Sequence, residues 1–187
     1  MPSLPLETGI ASWLISIPLL GAALILFLPP KRYFEIRSLA ISATFLTLLG
    51  ALLLFGAYDR TAGGFQFEMK HDWLPDLGIS YHVGLDGVAV VMVLLHGILS
   101  FAGALVSRSI GEGVKSYFIF YLILVASIFG VFTSLDLFFL YLFYEMTMIP
   151  LYPLIGMWGS QNREYASMKL VLYISLGAVV ALLGFLI

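Results

Sequence analysis

Long apolar runs broken by short polar clusters set the plan of this chain. Crossing a hydrocarbon core of about 30 Å takes roughly 20 helical residues. By that measure the sequence predicts six spanning helices, near 10–28, 36–57, 85–106, 117–133, 135–158 and 167–187. Pro29 and Pro30 close the first run, and a very tight turn around Ser134 joins the fourth to the fifth. The expected fold is all-α: a polytopic transmembrane helix bundle forming a single domain over 1–187, without internal repeat or low-complexity linker.

The polar clusters orient these runs. Lys31, Arg32 and Arg37 follow the first, Arg108 and Lys115 the third, Arg163 and Lys169 the fifth, which is seven of the nine Lys and Arg. Odd-numbered connections share one side, and an excess of basic residues marks that side as cytoplasmic, so the N-terminus is expected outside. The longest connection, 58–84, then lies outside with Asp59, Glu68, Asp72 and Asp76, and Trp73 suits an interfacial anchor. The opening MPSLPLETG has no basic region and carries Glu7, so the first run is expected to be a retained span rather than a cleaved leader. The last run is still apolar at Ile187, and the chain is expected to be a truncated piece of a longer multispan protein.

Composition strengthens the membrane reading. The chain is 61% hydrophobic and 11% charged, with mean hydropathy +1.03, too few charges to cover a soluble domain. A net charge of −2 argues against nucleic acid as a partner. The absence of cysteine excludes disulfides, iron–sulfur ligation and thiolate metal sites within the chain, and three histidines leave few ligands for haem or metal. No P-loop, GxGxxG, HExxH or nucleophile elbow is present, so nucleotide binding and hydrolysis have no support.

Within the fifth run Glu145 stands about ten residues from the outer end, roughly 15 Å deep and near the bilayer midplane. A charge there costs at least ~2.5 kcal/mol, and its bearers face a bundle interior or a hydrated path. Tyr141, Glu145, Met148 and Tyr152 share a helical face. Pro150 and Pro153 cannot donate to the carbonyls of Met146 and Ile149, which frees acceptors for water beside the carboxyl. A carboxyl buried alone has a raised pKa and a nearby lysine lowers it again, so a switchable partner makes such a group a proton carrier. Lys169 is expected in the first turn of the sixth run, as a snorkelling anchor or as a relay partner. His96 lies mid-run above Ser100, Gly103 and Ser107, where a proton relay and an interhelical hydrogen bond both stand. Asp86 and Asp136 open helices and are expected to cap them. The residues describe a transporter or pump component with buried proton-carrying groups.

The stretches YHVGLDGVAVVMVLL, DLFFLYLFYEMTMIPLYPLIGMWG and REYASMKLVLYISLGA together resemble the antiporter-like membrane subunits of respiratory complex I, of the subunit M, chain 4 or NdhD type. The resemblance covers roughly Tyr81 to Ala178. It implies a larger fold of about fourteen spans built from inverted repeats, whose ion sites lie near the midplane at broken helices. It also implies that Glu145 is a proton-translocating residue whose lysine partner sits in a seventh span, beyond this chain. Lys169 matches a recurrent lysine after the tryptophan–glycine pair, and His96 stands where a small polar residue is expected. No redox cofactor is implied on this chain; NADH, FMN, iron–sulfur clusters and quinone would be handled by other subunits. The implied partners are membrane-arm subunits and the lipid bilayer, and the implied location is a bacterial-type inner membrane. Multisubunit Na⁺/H⁺ antiporters of the Mrp type and membrane-bound hydrogenases use similar subunits and stand as alternatives, as does a non-pumping fragment.

Overall fold

The computed structural model describes residues 9–75 and 78–186. Glu7, Asp76 and Ile187 lie outside the described residues. The elements follow in the order α1 (Ile10–Phe27), α2 (Tyr33–Ala57), β1 (Gln66–Leu74), β2 (Ile79–Leu85), α3 (Gly87–Val106), α4 (Val114–Thr133), α5 (Leu137–Trp158) and α6 (Arg163–Leu186). All six helices are long and apolar enough to cross a membrane, which bears out the expected bundle. Helix ends extend past the apolar runs: α2 begins at Tyr33, α4 at Val114 and α6 at Arg163, while α3 begins only at Gly87, because Leu85 ends a strand.

α4 is the hub, packing against α1, α2, α3 and α5, whereas α6 packs chiefly against α5 among the described residues. Phe118, Leu122, Val125 and Phe129 of α4 are buried in two clusters, with Ala22, Ile25 and Ala40 on one side and Leu14, Leu54 and Val93 on the other. A Cβ on Gly130 would overlap the Phe143 ring, so glycine there sets the approach of α5 to α4. Buried hydroxyls satisfy themselves within their own helices: Thr44 donates to Ala40, Ser127 to Ile123 and Thr133 to Phe129, at 3.0, 2.9 and 2.9 Å. Such back-bonding lets a polar side chain sit in an apolar core without an orphaned donor. The outer sides of α1 and α6 stay apolar and exposed, as at Leu24, Phe27, Leu172 and Leu176, which suits lipid as their solvent.

One element departs from the all-helical expectation. β1 and β2 form an antiparallel hairpin, pairing Lys70 with His82 and His71 with Tyr81, and Gly78 turns it at φ +67°. The hairpin closes one end of the bundle. Leu135 N donates to His82 O (2.8 Å), Val83 bridges Ser134, and Tyr81 OH donates to Ser12 Oγ (3.1 Å). Burial of Tyr81 pushes its phenol above the ordinary value.

The opposite end carries most of the basic residues, several of which serve open carbonyls. Arg37 donates to Ile110 O (2.6 Å), Lys115 to Leu26 O (2.8 Å) and Arg163 to Met157 O (2.7 Å). Two of those acceptors end α1 and α5, where cations oppose the helix dipole. Trp158 Nε1 donates to Glu112 O (2.8 Å) against Gly113, whose φ of +62° and contact with the indole both require glycine.

Candidate proton site

α5 is positioned at its start by Asp136. The carboxylate accepts from Phe138 N (2.9 Å) and Phe139 N (3.3 Å), capping the helix as expected, and also from Ser80 N (3.2 Å) in the hairpin. Asp86 caps α3 in the same way through Ala89 N at 2.7 Å. From Leu137 the helix carries Glu145 about 12 Å in, leaving about 20 Å to Trp158 at 1.5 Å per residue.

Glu145 is half-buried, with half-buried Tyr141 one turn before it and buried Met148 nearly one turn after. Tyr152 is 48% exposed, so the tyrosine-flanked face is walled on the Tyr141 side only. Ser175 Oγ reaches Met148 Sδ at 3.8 Å and ties α6 to this stretch. Among the described residues the ion pairs are Arg32–Glu35 and Glu68–His82, both at the bundle ends, so no cation lies within 4.0 Å of Glu145. α5 stays helical through Pro150 and Pro153, and the carbonyls of Met146 and Ile149 therefore lack their usual donors.

Lys169 is not in the first turn of its helix. Because α6 begins at Arg163, Lys169 lies about 9 Å along it, its ammonium 5.6 Å from the Tyr165 ring and 5.8 Å from Tyr173. Both distances are within cation–π range. His96 is half-buried on the α3–α4 seam. Its Nε2 donates to Val125 O at 3.2 Å, and its ring meets Phe129 edge-on at 4.5 Å. Glu145, Lys169 and His96 are not in hydrogen-bond or ion-pair contact with one another among the described residues. No group of three or more His, Cys, Asp or Glu there could hold a metal ion.

Sequence reasoning passed over the tyrosines of α4. Tyr121 OH donates to Ser100 O (2.6 Å), and Tyr117 OH lies 2.8 Å from Ser107 Oγ, whose own proton goes to Gly103 O (2.7 Å). Their i, i+4 spacing on a helix facing the Ser100–Gly103–Ser107 stripe was the available signal.

The fold and this carboxylate define a multispan membrane protein with an ionisable group held in the middle of a proline-containing helix. Residues 134–187 match the family described as NADH:quinone oxidoreductase/Mrp antiporter, TM. Over 185 residues the chain is 31% identical to NADH-quinone oxidoreductase subunit M of Rickettsia bellii, covering 96% of this chain and 37% of that protein. Against NADH-ubiquinone oxidoreductase chain 4 of Arabidopsis thaliana the identity is 36% over 181 residues, covering 94% and 36%. The structure superposes on a chain of respiratory complex I from Thermus thermophilus with a TM-score of 0.77 at 28% identity, covering 94% of this chain and 35% of that one. These comparisons agree with the resemblance read from the motifs: the chain is similar to the antiporter-like membrane subunits of complex I, of the subunit M or chain 4 type. It spans a little over a third of the length of the curated relatives it matches.

Proposed function

We propose that the chain forms part of a proton-translocating membrane subunit of an NADH–quinone oxidoreductase, with Glu145 as the group that loads and releases the proton. The observation that carries this reading is a mid-helix carboxyl without a cationic partner, inside the segment that matches the family. Intramembrane carboxyls facing a bundle interior or a hydrated cavity mark ion paths. Redox chemistry belongs to other subunits, which hold NADH, FMN, iron–sulfur clusters and quinone; quinone reduction there shifts the charge balance around Glu145. A lysine elsewhere in the assembly supplies the opposing charge, and Lys169 serves chiefly as an anchor beside its two tyrosines. The basic end faces the cytoplasm of a bacterial-type inner membrane, and the N-terminus and hairpin face outside. Neighbouring membrane-arm subunits and lipid cover the outer faces.

The test is Glu145→Gln in the full-length subunit, with proton uptake and quinone reduction measured together in sealed vesicles. Loss of pumping is the expected result; an unchanged proton yield per quinone rejects the role. A second reading, a Na⁺/H⁺ antiporter subunit, is favoured by the family's description, which joins both kinds of protein. Proton movement driven by an imposed Na⁺ gradient without NADH or quinone would select it.

A further inference from the structure

A cleft of about 340 Å³ lies at the hairpin end, where the C-terminus of α2 meets the N-terminus of α3. Its lining changes character with depth. Phe55, Val90 and Val91 form the inner part, between about 3 and 6 Å inside the helix ends. Tyr58, Arg60 and Gly87 form the rim, at the level where the apolar helices stop. Val90 is buried and makes the floor, whereas Val91 is 50% exposed, so the cleft opens on the lipid-facing surface and not into the bundle.

The rim holds a cation that the rest of the chain leaves unneutralised. The guanidinium of Arg60 sits over the Phe55 ring, 5.8 Å from its centroid. A guanidinium resting by its face on a ring keeps its edge N–H groups for a second partner. The ion pairs among the described residues involve other groups, so no carboxylate there lies within 4.0 Å of Arg60. The neighbouring carboxylates are engaged in their own loops. Asp59 Oδ1 accepts from Thr61 N (2.8 Å) and Thr61 Oγ1 (2.7 Å), and Asp86 accepts from Ala89 N (2.7 Å). The loop that bears Arg60 is also fixed in place: Asp59 N donates to Gln66 Oε1 (3.0 Å), and Gln66 Nε2 donates to Asp59 O (2.6 Å). Gly87 keeps the rim open, since a Cβ there would come 3.5 Å from the Tyr58 hydroxyl.

Seven of the nine Lys and Arg belong to the other end, and Arg60 is one of two at this one. A fixed cation at the interface, above an apolar recess open to lipid, is complementary to an anionic head carried on an apolar tail. We propose that the cleft binds one anionic phospholipid, with its phosphate held by the Arg60 fork and the Tyr58 hydroxyl and an acyl chain laid against Phe55, Val90 and Val91. Guanidinium and phosphate match in geometry as well as charge, because two parallel N–H groups meet two oxygens. Occupancy of this cleft does not depend on the role of Glu145.

The test places the full-length subunit, in its assembly, in nanodiscs doped in turn with a phosphatidylglycerol and a phosphatidylcholine. Each lipid carries a diazirine near the top of one acyl chain, and crosslinked peptides are mapped by mass spectrometry. The peptide containing residues 87–91 should take up the phosphatidylglycerol about fivefold more than the phosphatidylcholine, the gain expected from one basic residue at a charged lipid surface. Arg60→Gln should remove that preference, and because Arg60 is exposed the melting temperature should not change. Lys70→Gln, at the other basic residue of this end, should keep it. Arg60→Lys retains the charge without the fork and should keep only part of it. Equal labelling by the two lipids means ordinary boundary lipid and overturns the site. A preference that survives Arg60→Gln overturns it too. No lipid on residues 87–91 would leave the cleft to a neighbouring protein and end the proposal.

Discussion

His96 on the α3–α4 seam and Glu145 on α5 are both ionisable groups set in the middle turns of apolar helices, yet their surroundings differ in kind. His96 has a carbonyl acceptor at 3.2 Å and an aromatic ring against it, on the helix that forms the hub of the bundle. Among the described residues Glu145 has no cation within 4.0 Å, and it has a freed carbonyl next to it and a less buried helix. Within their spanning windows 28% of α3, which bears His96, is buried against 17% of α5, so the helix of the carboxyl is the more open of the two. A polar group whose partner is built into a finished seam is architecture. One left without an opposing charge on an open helix is where chemistry is expected.

The sharpest way to break that contrast is to neutralise each group in turn. Glu145→Gln should drop pumping to background, because a positioned proton-transfer group contributes roughly 10²–10⁴-fold. Its melting temperature in detergent should stay close to the parent's. His96→Leu should do the reverse: pumping largely kept, and about 1 kcal/mol lost with the interhelical bond. Pumping lost with His96→Leu at unchanged stability would make the histidine a relay and end the distinction.

A second prediction probes what holds the open seam to the closed one. Gly130→Val drives a side chain into the Phe143 ring, and overpacking of this kind costs about 1–3 kcal/mol. Unfolding in detergent should report that loss, with α5 and α6 becoming more sensitive to protease before α1–α4. Uniform destabilisation would mean that the two regions unfold as one.

How much of this could be read beforehand follows from the range of each signal. Spans and caps are local, and they were legible: six runs, and Asp86 and Asp136 at helix starts. Glu145 was legible because one charge in an apolar run needs no partner to be noticed. The hairpin was missed although Phe67, Met69, His71 and Trp73 alternate with Glu68, Lys70 and Asp72, a period of two. A twenty-residue search for apolar runs averages that period away. The start of α6 was missed because hydropathy marks where a helix enters hydrocarbon, and Arg163–Tyr165 are helical before that point. The approach of α5 to α4 at Gly130 and Phe143 is a tertiary contact, which no local pattern encodes.

The hairpin's hold on α5 gives a smaller effect. Asp136→Ala removes a cap and the acceptor for Ser80 N, so about 1 kcal/mol should be lost, with a few tenths more if the hairpin loosens. Asp136→Asn keeps an N-cap oxygen and should recover most of it. Hydrogen exchange at Ser80 and Leu135 separates the two contributions: rapid exchange in the alanine variant alone ties the hairpin to the cap, and rapid exchange in neither leaves the strand contacts sufficient.

The smallest effect is expected at Lys169, and it tests whether the contrast extends to α6. Its ammonium rests between two tyrosine rings on an exposed helix face, contacts worth about 0.5–1 kcal/mol each at such sites. Lys169→Gln should therefore cost under about 2 kcal/mol in stability and leave pumping near the parent's. An anchor can be exchanged for a neutral amide because its work is done by the aliphatic stem and the ring contacts. A relay cannot, because the amide neither accepts nor releases the proton. Pumping that falls as far as in Glu145→Gln, with stability unchanged, would place Lys169 in the proton path. It would also move the boundary between architecture and chemistry one helix further along the chain.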